Sequence, residues 1–309
     1  MSDPHFKPAL LHPKYWLSWL GMGFWALLSL CLSYKASIKA GRLLGSVLYR
    51  VARSRTRIAR INIKHCYPEL SEIEQEKLVK ATIQETAIAV FESGASWFWP
   101  EWKWSQVGVD YVGFEHLEKM QTEGKGVLLL AMHFTPFEIC GALTSRKLLI
   151  SAFYRPHNNA VYEYLQARGR TRHNPGGAVI PSDDVRGIIK SLRQGNFICY
   201  LPDQDYGRDR SVFAPYFGIQ TATVKAPSQL ITLGKAELMA WITTRDPETG
   251  RYRIEITPPM TDQLGKGEVE DATFLNAFIE AQIRKRPEQY LWVHRRFKTR
   301  PEGEASFYS

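Results

Sequence analysis

The run GVLLLAM at residues 126–132 is almost wholly apolar and ends on His133. A strand that is apolar at every position, rather than at every second one, is buried on both faces, as inside a parallel sheet covered by helices. Further short apolar runs bounded by turn residues lie at 148–154, 178–181, 197–201, 238–243 and 252–257. Helical periodicity fills much of the space between them, at 137–147, 160–170, 183–194 and 224–233, with a last helix at 271–285. A capping box, Ser71 with Glu74, opens another helical stretch. This alternation predicts an α/β fold, a mostly parallel sheet flanked by helices. No repeat, low-complexity tract or long linker interrupts it, so residues 66–309 are expected to form one catalytic domain.

The first 65 residues are different in kind. Residues 15–34, YWLSWLGMGFWALLSLCLSY, carry no charge and are bracketed by Lys14 and Lys35. As a single helix this run would be about 30 Å long, the thickness of a bilayer's hydrocarbon core. Tyr15, Trp16, Trp19 and Tyr34 at its ends are aromatics of the interfacial type. Residues 1–35 are therefore expected to be a retained N-terminal membrane-anchor helix. A signal peptide fits less well, because its apolar region is shorter and no A-x-A-like site follows; a buried core helix is the remaining alternative.

The net charge of +9 is local: residues 1–65 hold 11 Lys and Arg against one acid, Asp3, whereas the rest of the chain has 29 basic and 30 acidic residues. A near-neutral domain without a recognition motif argues against nucleic acid as a partner. Nine basic residues and no acid lie from Lys35 to Lys64, and the positive-inside bias puts the bulk of such a protein in the cytoplasm. Arg50, Arg53, Arg57 and Arg60 recur at helical spacing, and Leu44, Val47, Leu48, Val51 and Ile58 recur on a different face. Residues 36–65 thus read as a basic amphipathic juxtamembrane helix able to lie on anionic lipid, with a surface helix and solvated arginines as the plainer alternative. Trp97, Phe98, Trp99, Trp102 and Trp104 form an aromatic cluster suited either to an interface or to a core. Four scattered cysteines, with no CxxC pair, fit a reduced compartment.

His133 stands at the carboxyl end of the apolar strand, where open α/β sheets bind ligands, and Glu138 follows five residues later. With His133 in a loop and Glu138 in the first helical turn, the carboxylate can reach one imidazole nitrogen and leave the other to accept a proton, the arrangement of a general base oriented by an acid. Thr135-Pro136-Phe137-Glu138 is also an acceptable capping box, in which Glu138 would only satisfy a backbone amide. Other strand ends add Asp203 and Asp205 after 197–201, and Arg155, Pro156, His157, Asn158 and Asn159 after 148–154. Between them lies the basic run Arg168 to His173. Two aspartates two apart suit a metal or a simple turn, and no third ligand is evident. Neither a phosphate-binding glycine loop nor G-x-S-x-G is present, so no cofactor is expected.

Together these elements resemble the late acyltransferases of lipid A biosynthesis, lauroyl type, within the glycerolipid acyltransferase superfamily. The H-x4-E run at His133 and Glu138 matches the superfamily motif. ALLHPKYWLSWLG, NIKHCYPELSE, ESGASWFWP, YRPHNN, PDQDYG and LWVHRRFKTRPEG resemble further blocks, in order and over nearly the whole chain. FAPYFG at 213–218 and the segment after Arg172 depart from the family pattern. The resemblance implies a glycerolipid-acyltransferase-like fold and transfer of a fatty acyl group, lauroyl by type, from acyl carrier protein to a hydroxyl of a 3-hydroxyacyl chain on a Kdo-bearing lipid A precursor. It places the protein at a bacterial inner membrane with anionic lipid, its site facing the cytoplasm. It implies His133 as base, Glu138 as its partner, and Arg170, Asp203 and Arg155 as substrate-binding residues, Asp203 alternatively ordering the arginines. A glycerophospholipid acyltransferase uses the same chemistry and is the nearest rival. A non-catalytic membrane-anchored lipid-binding protein would leave His133 and Glu138 idle.

Overall fold

The computed structural model describes residues 6–154, 157–173, 179–181 and 184–309. Helix α1 (Trp16–Cys31) is followed by α2 (Tyr34–Val51), α3 (Arg53–Cys66) and the long α4 (Glu72–Phe98). Strand β1 (Val109–Val112) and helix α5 (Phe114–Thr122) lead to β2 (Val127–Leu130). Helices and strands then alternate through α6 (Phe137–Ser145), β3 (Ile150–Tyr154), α7 (Ala160–Thr171), β4 (Val179–Pro181), α8 (Val185–Arg193) and β5 (Phe197–Tyr200). A hairpin of β6 (Ser211–Tyr216) and β7 (Ile219–Val224) precedes α9 (Ala226–Gly234), β8 (Glu237–Arg245), β9 (Tyr252–Ile256) and α10 (Glu268–Lys285).

Seven of these strands form one sheet in the order β1-β9-β8-β2-β5-β3-β4, parallel throughout except for the β8–β9 pair. The mixed α/β architecture has the mostly parallel sheet and flanking helices expected from the apolar runs. Alternate residues of the central strands feed two separate cores. Leu128, Leu130, Ile198, Tyr200 and Leu238 enter one, and Val127, Leu129, Phe197, Cys199 and Met239 enter the other. Burial on both faces is why β2 and β5 have no polar alternate residue. Missing from the sequence reading are β1, α5 and the β6–β7 hairpin, whose short or mixed patterns give little periodic signal.

The N-terminal apolar run does not form the expected single helix of 20 residues. Helix α1 has 16 residues, about 24 Å of rise, and stops where Leu32 turns extended and Ser33 caps α2. Among the described residues no helix is long and apolar enough to cross a membrane. The helix is also fastened to the domain along its length. Asn159 donates to Ser18 Oγ at 2.8 Å, Trp25 Nε1 donates to the Val90 carbonyl at 3.1 Å, and Trp99 Nε1 donates to the Ser29 carbonyl at 2.7 Å. Lys103, itself buried, donates to the carbonyls of Leu30 and Leu32 and neutralises the negative end of the helix dipole. The opposite face, with Leu17, Leu20, Phe24 and Leu27, is bare.

The basic segment is likewise two helices rather than one, broken at Ala52. Helix α2 lies unusually close to α4. A Cβ on Gly41 would stand 2.7 Å from the Ile88 Cα, and one on Gly45 would meet the backbone of Gln84, so only glycine lets the two helices touch there. Helix α3 buries Ala59, Asn62 and Ile63 in the domain and turns its arginines outward.

At the centre of the molecule Arg245 of β8 is almost fully buried against Glu85 and Glu92 of α4, which lie seven residues apart on one helix face. Tyr252 donates to Glu92 at 2.7 Å, and the Gln289 side chain accepts from the Arg245 amide at 2.8 Å and donates to its carbonyl. Burial pushes both carboxyls toward the protonated form, which Arg245 offsets only in part. Removing the cation would strand two buried acids, so Arg245→Met should cost about 3–5 kcal/mol of stability. Arg251→Met, which breaks only an exposed pair with Asp110, should leave the unfolding midpoint unchanged. Comparable shifts for the two variants in a thermal unfolding experiment would contradict this account.

Candidate active site

Strands β2 and β5 are adjacent and parallel, with Leu130 opposite Tyr200. His133 and Asp203 each follow their strand by three residues, so the two chains deliver them to the same level beyond the carboxyl edge of the sheet. Asp203 Oδ2 accepts the His133 backbone N–H at 2.7 Å, and Oδ1 lies 2.7 Å from the ring Nδ1. Burial pushes the Asp203 carboxyl up, but the charge of His133 and the hydrogen bonds from its ring, its amide and Asp203's own amide outweigh it and hold the acid below its ordinary value. An ionised carboxylate on Nδ1 fixes the proton there and leaves the lone pair on Nε2. Among the described residues Nε2 has no protein partner, and the side chain is 27% exposed. An imidazole held in one tautomer, with Nε2 unpartnered among the described residues, is the result.

Glu138 does not orient this ring, contrary to the expectation from the five-residue spacing. It lies in the first turn of α6 and points at α7 and α4 instead. Arg170 of α7 donates from Nε at 3.0 Å and from Nη2 to Glu138 Oε1, while Trp97 Nε1 of α4 donates to Oε2 at 3.3 Å. The capping box is not formed either: Pro136 is the N-cap, with no side-chain cap bond. The buried Thr135 hydroxyl has no hydrogen-bond partner among the described residues. Asp203, adjacent through the sheet rather than through the chain, takes the position on Nδ1.

The rest of the basic run gathers around Trp97. Gly169 lets α7 lie against its ring, where a Cβ would come within 2.5 Å. Arg172 donates to the Trp97 carbonyl at 2.7 Å, and His173 lies 3.2 Å from the Ser96 carbonyl. In the aromatic cluster Trp97, Trp99 and Trp104 are buried and only Trp102 is well exposed, so it is chiefly core. Arg155 lies outside the described residues, as do 174–178 and 182–183 in the segment that departs from the family pattern.

A third segment closes the site from beneath. Leu291 donates its amide to the His133 carbonyl at 3.0 Å, Thr135 donates to the Gln289 carbonyl at 2.7 Å, and the Tyr290 hydroxyl donates to the Asp203 carbonyl at 3.2 Å. Nothing in the local pattern announces these contacts, although LWVHRRFKTRPEG stood out as a block. Asp205 faces away from the base, accepting from Gly207 and from the Thr299 amide and hydroxyl. The two aspartates are therefore divided between the base and the C-terminal segment. Among the described residues no three His, Cys, Asp or Glu side chains form a metal-ligand group. His294 is lowered to about 4 by burial and by the neighbouring charge of His133, and His173 to about 4 by burial and Arg172.

A model of the bacterial lipid A biosynthesis acyltransferases matches residues 3–299. The chain is 37% identical to the lipid A biosynthesis palmitoleoyltransferase of Escherichia coli K12, over 98% of each chain. It is 35% identical to the lauroyltransferase of the same organism over 99% of each chain, and 32% identical to the myristoyltransferase over 99% of this chain and 94% of that one.

Two outcomes follow from this geometry. In protein labelled with 15N-histidine, Asp203→Asn should release His133 into a mixture of ring tautomers, read from two-bond proton–nitrogen correlations, whereas Glu138→Gln should leave the ring pattern as it was. The opposite ranking would restore Glu138 as the partner. Stability should also fall on acidification. His294 and His173 have folded values near 4 against 6.5 for the unfolded chain, so between those limits the unfolded state binds the extra protons and the folded state loses ground as pH drops. The depressed acid of Asp203 adds a loss of the same sign at still lower pH, as it is protonated. A thermal midpoint that is flat from pH 7 to pH 4 would refute this.

Proposed function

Since the chain belongs to the bacterial lipid A biosynthesis acyltransferase family, we propose that it transfers a lauroyl chain from acyl carrier protein to a hydroxyl of a 3-hydroxyacyl chain on a Kdo-bearing lipid A precursor. The His133–Asp203 pair is the observation that carries this reading. A secondary alcohol is a poor nucleophile at neutral pH. His133 Nε2 takes its proton as the oxygen attacks the thioester carbonyl, and Asp203 stabilises the imidazolium so formed. The tetrahedral intermediate then collapses, breaking the carbon–sulfur bond, and the imidazolium returns its proton to the departing carrier thiolate. No acyl-enzyme is required, because both substrates meet at one base.

Arg170 is proposed to meet the negative charge that develops on the carbonyl oxygen. Its Nε and Nη2 are held by Glu138, and Nη1 has no partner among the described residues, so a fixed donor is available. In this reading Glu138 and Trp97 are positioning residues for Arg170. The 37% identity to a palmitoleoyltransferase favours a second reading of the donor, with a longer chain. One methylene of burial is worth only about 0.8 kcal/mol, so a single pocket side chain can move that preference.

We also propose that the protein works at the bacterial inner membrane with its site on the cytoplasmic side. The bare stripe of α1 supports attachment along the surface of the bilayer: Leu17, Leu20, Phe24 and Leu27 would enter it while the opposite face stays on the domain. The basic excess of the first 65 residues suits anionic lipid and an acidic carrier protein alike.

The test is an acyl-transfer assay on the detergent-extracted protein. It offers lauroyl-, palmitoleoyl- and myristoyl-carrier protein to a tetra-acylated precursor with and without Kdo, read by mass spectrometry. A gain of one acyl chain is expected. His133→Ala and Asp203→Asn should each cost roughly 10³-fold or more in turnover without loss of fold. Glu138→Gln should cost less, roughly 10- to 100-fold, acting through Arg170. Transfer to glycerophospholipid alone would select the rival enzyme, and none from folded protein would select the lipid-binding reading.

A further inference from the structure

Strand β2 pairs with β8 only as far as Leu130 opposite Ala240, whereas β8 runs on to Arg245 with β9 on its other edge. Past Ala240 the first edge of β8 loses its neighbour, because the β2 chain leaves the sheet on its way to His133. At Arg245 the side chain of Gln289 fills the gap. Its Oε1 accepts the Arg245 amide at 2.8 Å and its Nε2 donates to the Arg245 carbonyl, the same exchange of two bonds that a facing strand residue makes. Arg245 is itself immobile, since Glu85 and Glu92 hold its buried side chain. Gln289 is fully buried, so an unpaired end of its amide would carry the whole cost of desolvation.

The backbone around the same residue reaches the site. Between β2 and α6 the chain is irregular, and its ties run in two directions. Toward β5, the Ala131 amide donates to the Tyr200 carbonyl at 2.9 Å and the His133 amide donates to Asp203 at 2.7 Å. Toward the C-terminal segment, the Thr135 amide donates to the Gln289 carbonyl at 2.7 Å, the His133 carbonyl accepts from Leu291 at 3.0 Å, and Phe134 faces Tyr290 in an isolated β-bridge. His133 is thus strung between the continuations of its two sheet neighbours, β5 through Asp203 and β8 through Gln289. The tie to β8 passes through one side chain. Proton transfer between aligned groups tolerates little displacement, so a shift of that side chain would be felt at the ring.

We propose that Gln289 is a positioning residue for His133: its side-chain amide hangs the 289–291 segment from the end of β8, and that segment sets where the imidazole stands against Asp203. The consequence for turnover rests on the acyl transfer proposed above; the hold on the ring does not.

The experiment compares the full chain with Gln289→Met, which keeps the length of the side chain and removes both bonds, and with Leu117→Ala, which opens a cavity beneath α5 in the core, away from the site. Each protein is studied at the same interval below its own thermal midpoint, so that loss of stability alone affects both variants alike. In 15N-histidine spectra Gln289→Met should move His133 from one ring tautomer toward a mixture, and Leu117→Ala should keep the wild-type pattern. In the acyl-transfer assay Gln289→Met should lower kcat about 10- to 100-fold with KM unchanged, and Leu117→Ala should keep its turnover. If Gln289→Met does not fold, Gln289→Asn, whose amide stops one carbon short of Arg245, takes its place and is read in the same way. An unchanged ring pattern overturns the proposal. So does a loss of turnover equalled by Leu117→Ala, which would make Gln289 a support of the fold alone, and so does a rise in KM with kcat kept, which would give it to substrate binding. The ring is read without turnover, so an inactive wild-type protein would sink the proposed reaction and leave Gln289 to be judged on the spectra.

Discussion

The bond between His133 and Asp203 depends on a register between two buried strands. Because Leu130 stands opposite Tyr200, the next three residues of each chain rise together and end in a base and an acid at contact distance. One carboxylate then binds both the amide and the ring of His133, fixing backbone and side chain at once. Its own burial would be costly without that arrangement, since a lone ionised acid in a protein interior changes its protonation state. The His133–Asp203 pair therefore depends on β2 and β5 being apolar on both faces, and on the 289–294 segment that pins the carbonyls of His133 and Asp203 from below.

Helix α4 carries the second constraint. Its Glu85 and Glu92 fix Arg245 inside the core, and one turn beyond Glu92 its Trp97 holds Glu138. The buried charge cluster therefore does more than tolerate its desolvation: it sets the rotation and height of the helix whose far end supports the Glu138–Arg170 pair. A hydrophobic replacement of such a cluster can be as stable, yet it would remove the ion pairs that register Glu85 and Glu92 of α4 against Arg245 of β8. The same helix seats α2 through Gly41 and Gly45 and takes the indole of Trp25 on its Val90 carbonyl.

How much of this was legible in the sequence follows from how local each signal is. The apolar runs of β2 and β5, the helical periods and the Ser71–Glu74 box are short-range patterns, and they placed the sheet, most helices and His133 at the strand end. The partner of His133 was not legible from H-x4-E, because a five-residue spacing names a neighbour in the chain, whereas Asp203 is a neighbour across the sheet. A usable signal was present: VLLL and FICY are each followed at the third position by His and Asp. Trp97 and the 289–294 segment reach the site through tertiary contacts alone and leave no local trace. Composition misled most at residues 15–34, where absence of charge suggested a membrane span. The run is divided at Leu32, which turns extended, and Ser33, which caps the next helix.

Helix α1 is divided into two unlike faces. One face is joined to α7 through Ser18 with Asn159 and through Trp19 with Tyr164, and α7 is the helix that carries Arg170. The other face is bare and apolar. Helix α7 therefore lies between α1 and the Glu138 that Arg170 holds. Lys103 keeps the far end of α1 in place by holding its last carbonyls, and it does so from the aromatic segment that follows Trp97. The packing of α1, α7 and the end of α4 is thus coupled, and the N-terminal helix is built into the domain.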